Sequence, residues 1–335
     1  MNDSSLSSRK ADHIELAFAA QTPEADARFY YEPIQVGHPT SDHPWDTLSL
    51  AGRSMQVPWW ISSMTGGEAR AASINERLAK AAAKFGLGMG LGSCRPVLVD
   101  PSTRADFAVR RFIGDQPLFA NLGVAQLEEL IQAGQLARVT EMVRSLEADG
   151  LIVHINPLQE WVQPEGDRLH QAPLDTLKRV MDELNMPLIV KEVGQGFGPK
   201  SLKALMELPL EAVDFGSFGG TNFALIEAMR SQASNMEGLK PVAQVGHTAE
   251  EMGDWILNWT REGWKPQAKQ IIVSGGIQNF LDGYYHIKRL PGSVLYAQAS
   301  AFLKPALESQ EALDAFCELQ IKGLAMAHQY LELRS

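Results

Sequence analysis

The chain has 335 residues and two cysteines. With no apolar run of about 18 residues or more, it is neither a disulfide-stapled miniprotein nor a helical membrane protein, and it is long enough for one large domain or two ordinary ones. Thirty Lys+Arg against forty Asp+Glu give a net charge of −10, so no global basic field gathers nucleic acid or anionic lipid, and any phosphate must be bound locally. Residues 1–56, rich in Pro, His and aromatics, show no clear period and read as an N-terminal arm. No basic or apolar leader region opens the chain, and Cys94 and Cys317 are its only thiols, so a cytoplasmic location is expected.

From residue 57 a strand-and-helix rhythm begins. Runs rich in β-branched or aromatic residues fall at 57–63, 86–92, 117–123, 150–156, 187–193, 211–217, 240–246, 270–276 and 293–299, and helical periodicity marks 74–85, 126–146, 174–184 and 221–229. Such alternation builds βαβ units and a parallel sheet. A (β/α)8 TIM barrel over 57–308 takes eight strands, so the run at 240–246, beside an awkward glycine-flanked stretch, is set aside. Residues 309–335 read as a C-terminal helical tail. A doubly wound sheet is the rival, but polar residues end six of the strands, as a barrel rim requires, and no convincing G-x-G-x-x-G with its acidic partner is found.

Those strand ends carry the chemistry. Ser274-Gly275-Gly276-Ile277 and Ala297-Gln298-Ala299-Ser300 close the last two strands with small residues that let main-chain N–H groups approach an anion, although glycines also simply make turns. Lys191 ends an apolar strand, where it would hold the N1–C2=O edge of a flavin, form a Schiff base, or pair with Glu192. His154-Ile-Asn-Pro-Leu-Gln-Glu160 places His154 and Asn156 on one side of a strand, with Gln159 and Glu160 following. His154 reads as a catalyst or as a satisfied hydrogen-bonding residue, and Glu160 as a ligand for a hard divalent cation. Arg95, after Gly92-Ser93-Cys94, suits an anion clamp. Arg9 and Lys10 read as a basic spot on a flexible arm, Cys94 as a small buried neighbour, and Trp59, Trp60 and Trp161 as packing, the last a possible pocket roof.

At these residues the sequence resembles the type 2 isopentenyl diphosphate isomerases, FMN-dependent enzymes on a (β/α)8 barrel. The resemblance is carried in order by Arg9-Lys-Ala-Asp-His13, Ser63-Met-Thr-Gly-Gly67, Met89-Gly-Leu-Gly-Ser-Cys-Arg95, Ala120-Asn-Leu-Gly123, Val153-His-Ile-Asn-Pro-Leu-Gln-Glu160, Gln163-Pro-Glu-Gly166, Val190-Lys-Glu-Val-Gly194, Gly219-Gly-Thr-Asn222 and Ser274-Gly-Gly-Ile277. It implies interconversion of isopentenyl and dimethylallyl diphosphate, with FMN active in its reduced form, NADPH as reductant and Mg2+ on the diphosphate. It further implies that Met64, Thr65, Gly66, Ser93, Asn121, Lys191, Thr221, Gly275, Gly276, Ala297 and Gln298 hold FMN. Arg9, Lys10, His13, Arg95, His154 and Asn156 would hold substrate, Gln159 would face its carbons, and Glu160 would bind the metal. A homo-oligomer, tetramer or octamer, is expected, with no nucleic-acid or membrane partner. The chain departs from the family pattern at Cys94, at Gln278, at Gln244-Val-Gly-His-Thr248 and at Tyr296-Ala-Gln-Ala299. Competing readings are an FMN oxidoreductase of the hydroxy-acid oxidase or dihydroorotate dehydrogenase kind, and a flavin-binding relative without turnover.

Overall fold

A computed structural model describes residues 3–22, 24–63, 69–230, 238 and 240–334. Twelve strands run in chain order: β1 Phe29–Tyr31, β2 Leu48–Leu50, β3 Arg53–Met55, β4 Trp59–Ile61, β5 Gly88–Gly90, β6 Leu118–Gly123, β7 Gly150–Ile155, β8 Leu188–Glu192, β9 Ala212–Asp214, β10 Gln270–Val273, β11 Ser293–Gln298 and β12 Leu331–Leu333. Strands β4 to β11 pair in parallel and close on themselves, β11 returning to β4. This is the (β/α)8 barrel, and it excludes the doubly wound sheet. Setting aside 240–246 was correct, since Lys240–Ala243 is a short helix.

Side chains on the barrel strands alternate with period two. Trp60, Phe119, Ile152, Ile189, Ala212, Ile272, Leu295 and Ala297 point inward and form one buried cluster. Their neighbours Trp59, Ile61, Leu118, Ala120, Leu151, Val153, Val190, Val213, Val273 and Tyr296 belong to the second cluster, packed under the surrounding helices. The inner cluster also takes Leu50 and Met55 from the antiparallel hairpin β2–β3. The hairpin is fastened to the barrel by the Ala51 N–H donating to Glu211 Oε1 at 2.6 Å and by Arg53 pairing with Asp149 at 2.9 Å. It turns through Ala51 (φ 52°) and Gly52 (φ 77°). Fully burying each large apolar side chain is worth roughly 1.5–3 kcal/mol, so this sealed lower layer stabilises the barrel independently of the polar groups above it.

Helix Gln310–Tyr330 forms the tail, and the chain then adds β12, which pairs antiparallel with β1. That strand pairing lies beyond the helical reading of 309–335. Tyr284 Oη donates to the Leu331 carbonyl at 2.6 Å, tying the added ribbon to helix Phe280–Arg289. No described helix is long and apolar enough to cross a membrane.

Candidate active site

Moving two residues further along the inward-facing parity exchanges the apolar layer for a polar one: Asn121 above Phe119, His154 above Ile152, Lys191 above Ile189, Asp214 above Ala212, Ser274 above Ile272. Strand register sets Gly123 beside His154, His154 beside Lys191, and Lys191 beside Asp214. The strand geometry that buries the barrel core therefore also assembles this rim.

Each group on the rim is held by a nameable contact. Asn121 Nδ2 donates to Ser63 Oγ at 2.9 Å and to the Leu91 carbonyl at 3.1 Å, which leaves its Oδ1 to accept from His154 Nδ1 at 2.7 Å. His154 is half-buried, and desolvation, reinforced by Lys191, pushes its pKa down to about 4. It is thus a neutral imidazole with an acceptor at Nε2. Lys191 Nζ donates to the Glu192 main-chain carbonyl at 2.6 Å. It makes no direct salt bridge to the Glu192 carboxylate, whose Oε2 instead takes the N–H groups of Gly194, Gln195 and Gly196 at 2.7, 2.6 and 2.9 Å. Burial pushes Glu192 up to about 7 against those donors. Burial also raises Asp214, whose Oδ1 accepts from Ser274 Oγ and whose Oδ2 has no partner.

The loops after β9 and β10 meet main chain to main chain. Ser217 N donates to the Ser274 carbonyl at 2.9 Å, and Ser217 Oγ to the Gly275 carbonyl at 3.0 Å. Gly275 and Gly276 have φ of +84° and +74°, a region that favours glycine. Beside them opens a cavity of about 1050 Å³ lined by Ser93, Arg95, Lys191, Thr221, Gly275, Gly276, Ala297 and Gln298, among others. Gln298 spends its amide internally, accepting from Trp59 Nε1 at 3.1 Å and donating to the Ile277 carbonyl at 3.0 Å.

A second network gathers His154-Ile-Asn-Pro-Leu-Gln-Glu160. Asn156 Nδ2 donates to Gln159 Oε1 at 3.2 Å and to Glu160 Oε1 at 2.9 Å, while its buried Oδ1 is left without a partner. Glu160 Oε2 accepts from the Asp167 N–H at 2.8 Å. Gln159 Nε2 reaches Glu227 Oε1 at 3.4 Å, and Glu227 is paired in turn with Arg230. Asp167 and Glu227 had not been singled out in the sequence. Both are acidic residues beside a loop or helix, and no spacing separates them from solvated surface charge.

Other expectations resolve unevenly. Arg9, Lys10 and His13 lie exposed on helix Asp3–Leu16, and no hydrogen bond or ion pair among the described residues ties them to the rim. Met64, Thr65 and Gly66 lie outside the described residues. Trp59 and Trp60 are fully buried, but Trp161 is 63% exposed beneath the Arg168 guanidinium, which corrects the packing reading of that residue. Cys94 is buried, its thiol pushed up to about 12 by desolvation. At the divergent segment 244–248, the His247 N–H donates to the Gln195 carbonyl at 2.7 Å and the His247 carbonyl accepts from Phe218 N–H at 2.8 Å, bracing the loops after β8 and β9. Divergent Tyr296 faces away from the rim and stacks on Trp59, with ring centroids 5.8 Å apart.

No protein-family model matches the chain. An isopentenyl-diphosphate delta-isomerase of Rickettsia africae is 35% identical over 327 residues, spanning 94% of this chain and 91% of that protein. One of Synechocystis is 35% identical over 329 residues, spanning 95% and 90%. Among solved structures, a flavocytochrome b2 with sulfite bound superimposes with a TM-score of 0.61 at 12% identity, over 90% of this chain and 72% of that one. A mandelate oxidase with a monooxide FMN adduct gives 0.54 at 11% identity, over 97% and 98%. Identities this low attest the barrel fold alone. The sequence relatives, similar along nearly their whole length, show that the chain belongs to the isopentenyl-diphosphate delta-isomerase family, in the type 2 branch whose motifs it carries.

Proposed function

We propose that the chain interconverts isopentenyl and dimethylallyl diphosphate as an FMN-dependent enzyme, with Mg2+ on the diphosphate, NADPH as reductant, and a cytoplasmic homo-oligomer as the working form. The observation that carries this reading is the single cavity that joins glycine-rich main chain, Lys191 and the Arg95 guanidinium. FMN fits that lining. Gly275 and Gly276 add no Cβ between the cavity and their N–H groups, as a phosphate requires, and Lys191 supplies a cation on the same wall. Ser93, Asn121, Lys191, Thr221, Gly275, Gly276, Ala297 and Gln298 would hold FMN, with Met64, Thr65 and Gly66 completing the set. When bound and reduced, FMN supplies an electron-rich ring for proton exchange with an alkene, chemistry that ordinary side-chain acids and bases do poorly.

The protein's own residues supply position and exclusion. Arg95, with Arg9, Lys10, His13 and Asn156, would grip the diphosphate, and anchoring that remote end orients the carbon end without touching it. His154, held neutral, offers Nε2 as an acceptor rather than a second positive charge. The Gln159 amide is neither a strong acid nor a strong base, so its part is to orient the reacting carbon or relay a proton. The Glu160 carboxylate, held by Asn156 Nδ2 and the Asp167 N–H, is an oxygen ligand suited to a hard cation. No group of three or more His, Cys, Asp or Glu side chains able to hold a metal exists among the described residues. Mg2+ arriving on the diphosphate with its waters would use one protein carboxylate.

The test is an anaerobic incubation of isopentenyl diphosphate with the protein, FMN, Mg2+ and NADPH or dithionite, following dimethylallyl diphosphate. Product formed without stoichiometric consumption of reductant is expected. Reductant consumed in step with substrate would make the protein an oxidoreductase, and no product under any of these conditions would leave a flavin-binding relative without turnover.

A further inference from the structure

Resting on the reading just given, the geometry points to Asp167 as the positioning residue that sets the Arg95 guanidinium for an anionic diphosphate and couples it to the Glu160 carboxylate. Asp167 comes at the end of the Gln163-Pro-Glu-Gly166 turn, and its side chain is only 15% exposed. It accepts from Arg95 through both oxygens, Nη1 to Oδ2 at 2.7 Å and Nη2 to Oδ1 at 3.3 Å. Such a two-point carboxylate–guanidinium contact fixes the plane of the arginine, whereas a single contact leaves it free to swing. Two of the five guanidinium N–H donors are used, and three remain for an anion in the cavity that Arg95 lines.

Asp167 is itself anchored from two further directions. Gln126 Nε2 donates to Asp167 Oδ2 at 2.7 Å, and Gln126 Oε1 accepts from the Gly123 N–H at 2.9 Å. The strand bearing Gly123 pairs with the strand bearing His154 at that very position. From the other side, the Asp167 main-chain N–H holds Glu160 Oε2 at 2.8 Å. One residue therefore spaces a cation for the diphosphate oxygens, through its side chain, from the carboxylate for the metal, through its backbone. The two functions separate chemically. Asp167→Asn keeps the N–H on Glu160 and can keep an oxygen where Arg95 Nη1 and Gln126 both donate, but it then presents an NH2 group to Arg95 Nη2, so one donor faces another and the arginine loses its second contact.

The experiment measures binding of inorganic pyrophosphate in the presence of MgCl2 to the FMN-loaded enzyme by titration calorimetry. It compares native protein, Asp167→Asn, Arg95→Ala and the double variant, with FMN affinity and thermal midpoint recorded for each. Asp167→Asn is expected to weaken pyrophosphate about tenfold, within the range for residues of one hydrogen-bonded network. In the Arg95→Ala background the same change should add nothing, and FMN affinity should be unchanged throughout. Asp167→Glu, which keeps the charge, should recover part of the loss. Native pyrophosphate affinity in Asp167→Asn, or losses that multiply in the double variant, would overturn the positioning role while leaving the proposed activity standing. Failure of the native protein to bind pyrophosphate at all would overturn the positioning role too, whereas the proposed activity falls only if the assay above yields no dimethylallyl diphosphate.

Discussion

Gly275→Ala asks the most of the glycine-lined wall. An added Cβ would stand 2.0 Å from the Ser217 carbonyl oxygen, 2.5 Å from its nitrogen and 2.7 Å from its carbonyl carbon. Ordinary contact begins at 3.4 Å, so the shortfall is 3.4 − 2.0 = 1.4 Å, and every atom in the way is main chain. A shift of that size pulls Ser217 off the Ser274 and Gly275 carbonyls, two hydrogen bonds worth about 1 kcal/mol each. At φ +84° the alanine adds about 1–2 kcal/mol of left-handed strain. The total is about 3–4 kcal/mol, a large fraction of the roughly 5–15 kcal/mol that holds a domain folded.

Gly276→Ala is the control one residue on. Its Cβ would meet the Phe218 carbonyl oxygen at 3.4 Å, ordinary contact, so only the strain of φ +74° remains, about 1–2 kcal/mol. Urea denaturation of the flavin-free proteins should therefore rank native above Gly276→Ala above Gly275→Ala, the last two about 2 kcal/mol apart. Titration with FMN should show affinity in Gly275→Ala lowered by about tenfold or more, because the two loops no longer meet. If Gly275→Ala unfolds at the native urea concentration and binds FMN as tightly as the native protein, the loop contact is not what shapes that wall.

Gln159→Leu, similar in bulk but without polar atoms, should bind FMN and substrate nearly normally, yet lose most of its turnover and its exchange of substrate protons with deuterated solvent. Wild-type turnover would remove Gln159 from the chemistry, and lost substrate binding would make it a ground-state contact. Glu160→Gln keeps its shape and loses its charge, so Mg2+-dependent substrate affinity should drop while FMN affinity stays; an unchanged Mg2+ titration takes Glu160 out of the metal's path. His286 is buried on helix Phe280–Arg289, where desolvation lowers its pKa from 6.5 to about 4. The unfolded chain then takes up a proton that the folded one refuses, so this residue erodes stability as pH falls from 6.5 towards 4, by up to about 3 kcal/mol. Glu192 and Asp214, both raised by burial, act in the opposite sense over the acid range. The readout is therefore the difference in urea stability between His286→Gln and native protein. It should shift in the variant's favour between pH 7 and pH 4.5, and a flat difference contradicts the assignment.

The rim was legible because strand alternation is a local rule. Once Ile152 and Ile189 are inward, His154 and Lys191 must be inward too, and one sequence suffices to say so. Hairpin β2–β3 was not legible, because its strands are three residues long and its turn is Ala51-Gly52 rather than the Asn-Gly or Asp-Gly that announces a turn with two positive φ values. The β1–β12 pairing joins Phe29 to Leu333, a contact to which no local pattern points. Arg9, Lys10 and His13 illustrate the opposite difficulty: their motif is visible, while what their helix touches is decided by tertiary contacts that spacing does not encode. Asp167 had no motif of its own and emerges only where Arg95, Gln126 and Glu160 converge.

Burial drives the resolved ionisations at the rim in one direction. His154 is pushed down, Asp214 and Glu192 are pushed up, and each shift opposes the charged form. Near neutral pH this removes positive charge from His154 and softens negative charge on Glu192. The anion-binding capacity left on the cavity wall is then carried by groups whose donors do not depend on titration near pH 7: main-chain N–H groups at the glycine loops and the Arg95 guanidinium, itself oriented by Asp167. A chain with net charge −10 can thus offer a local site for phosphate, because its excess acid need not lie where the anion would bind and Glu192, which does lie there, is partly neutralised by its own burial.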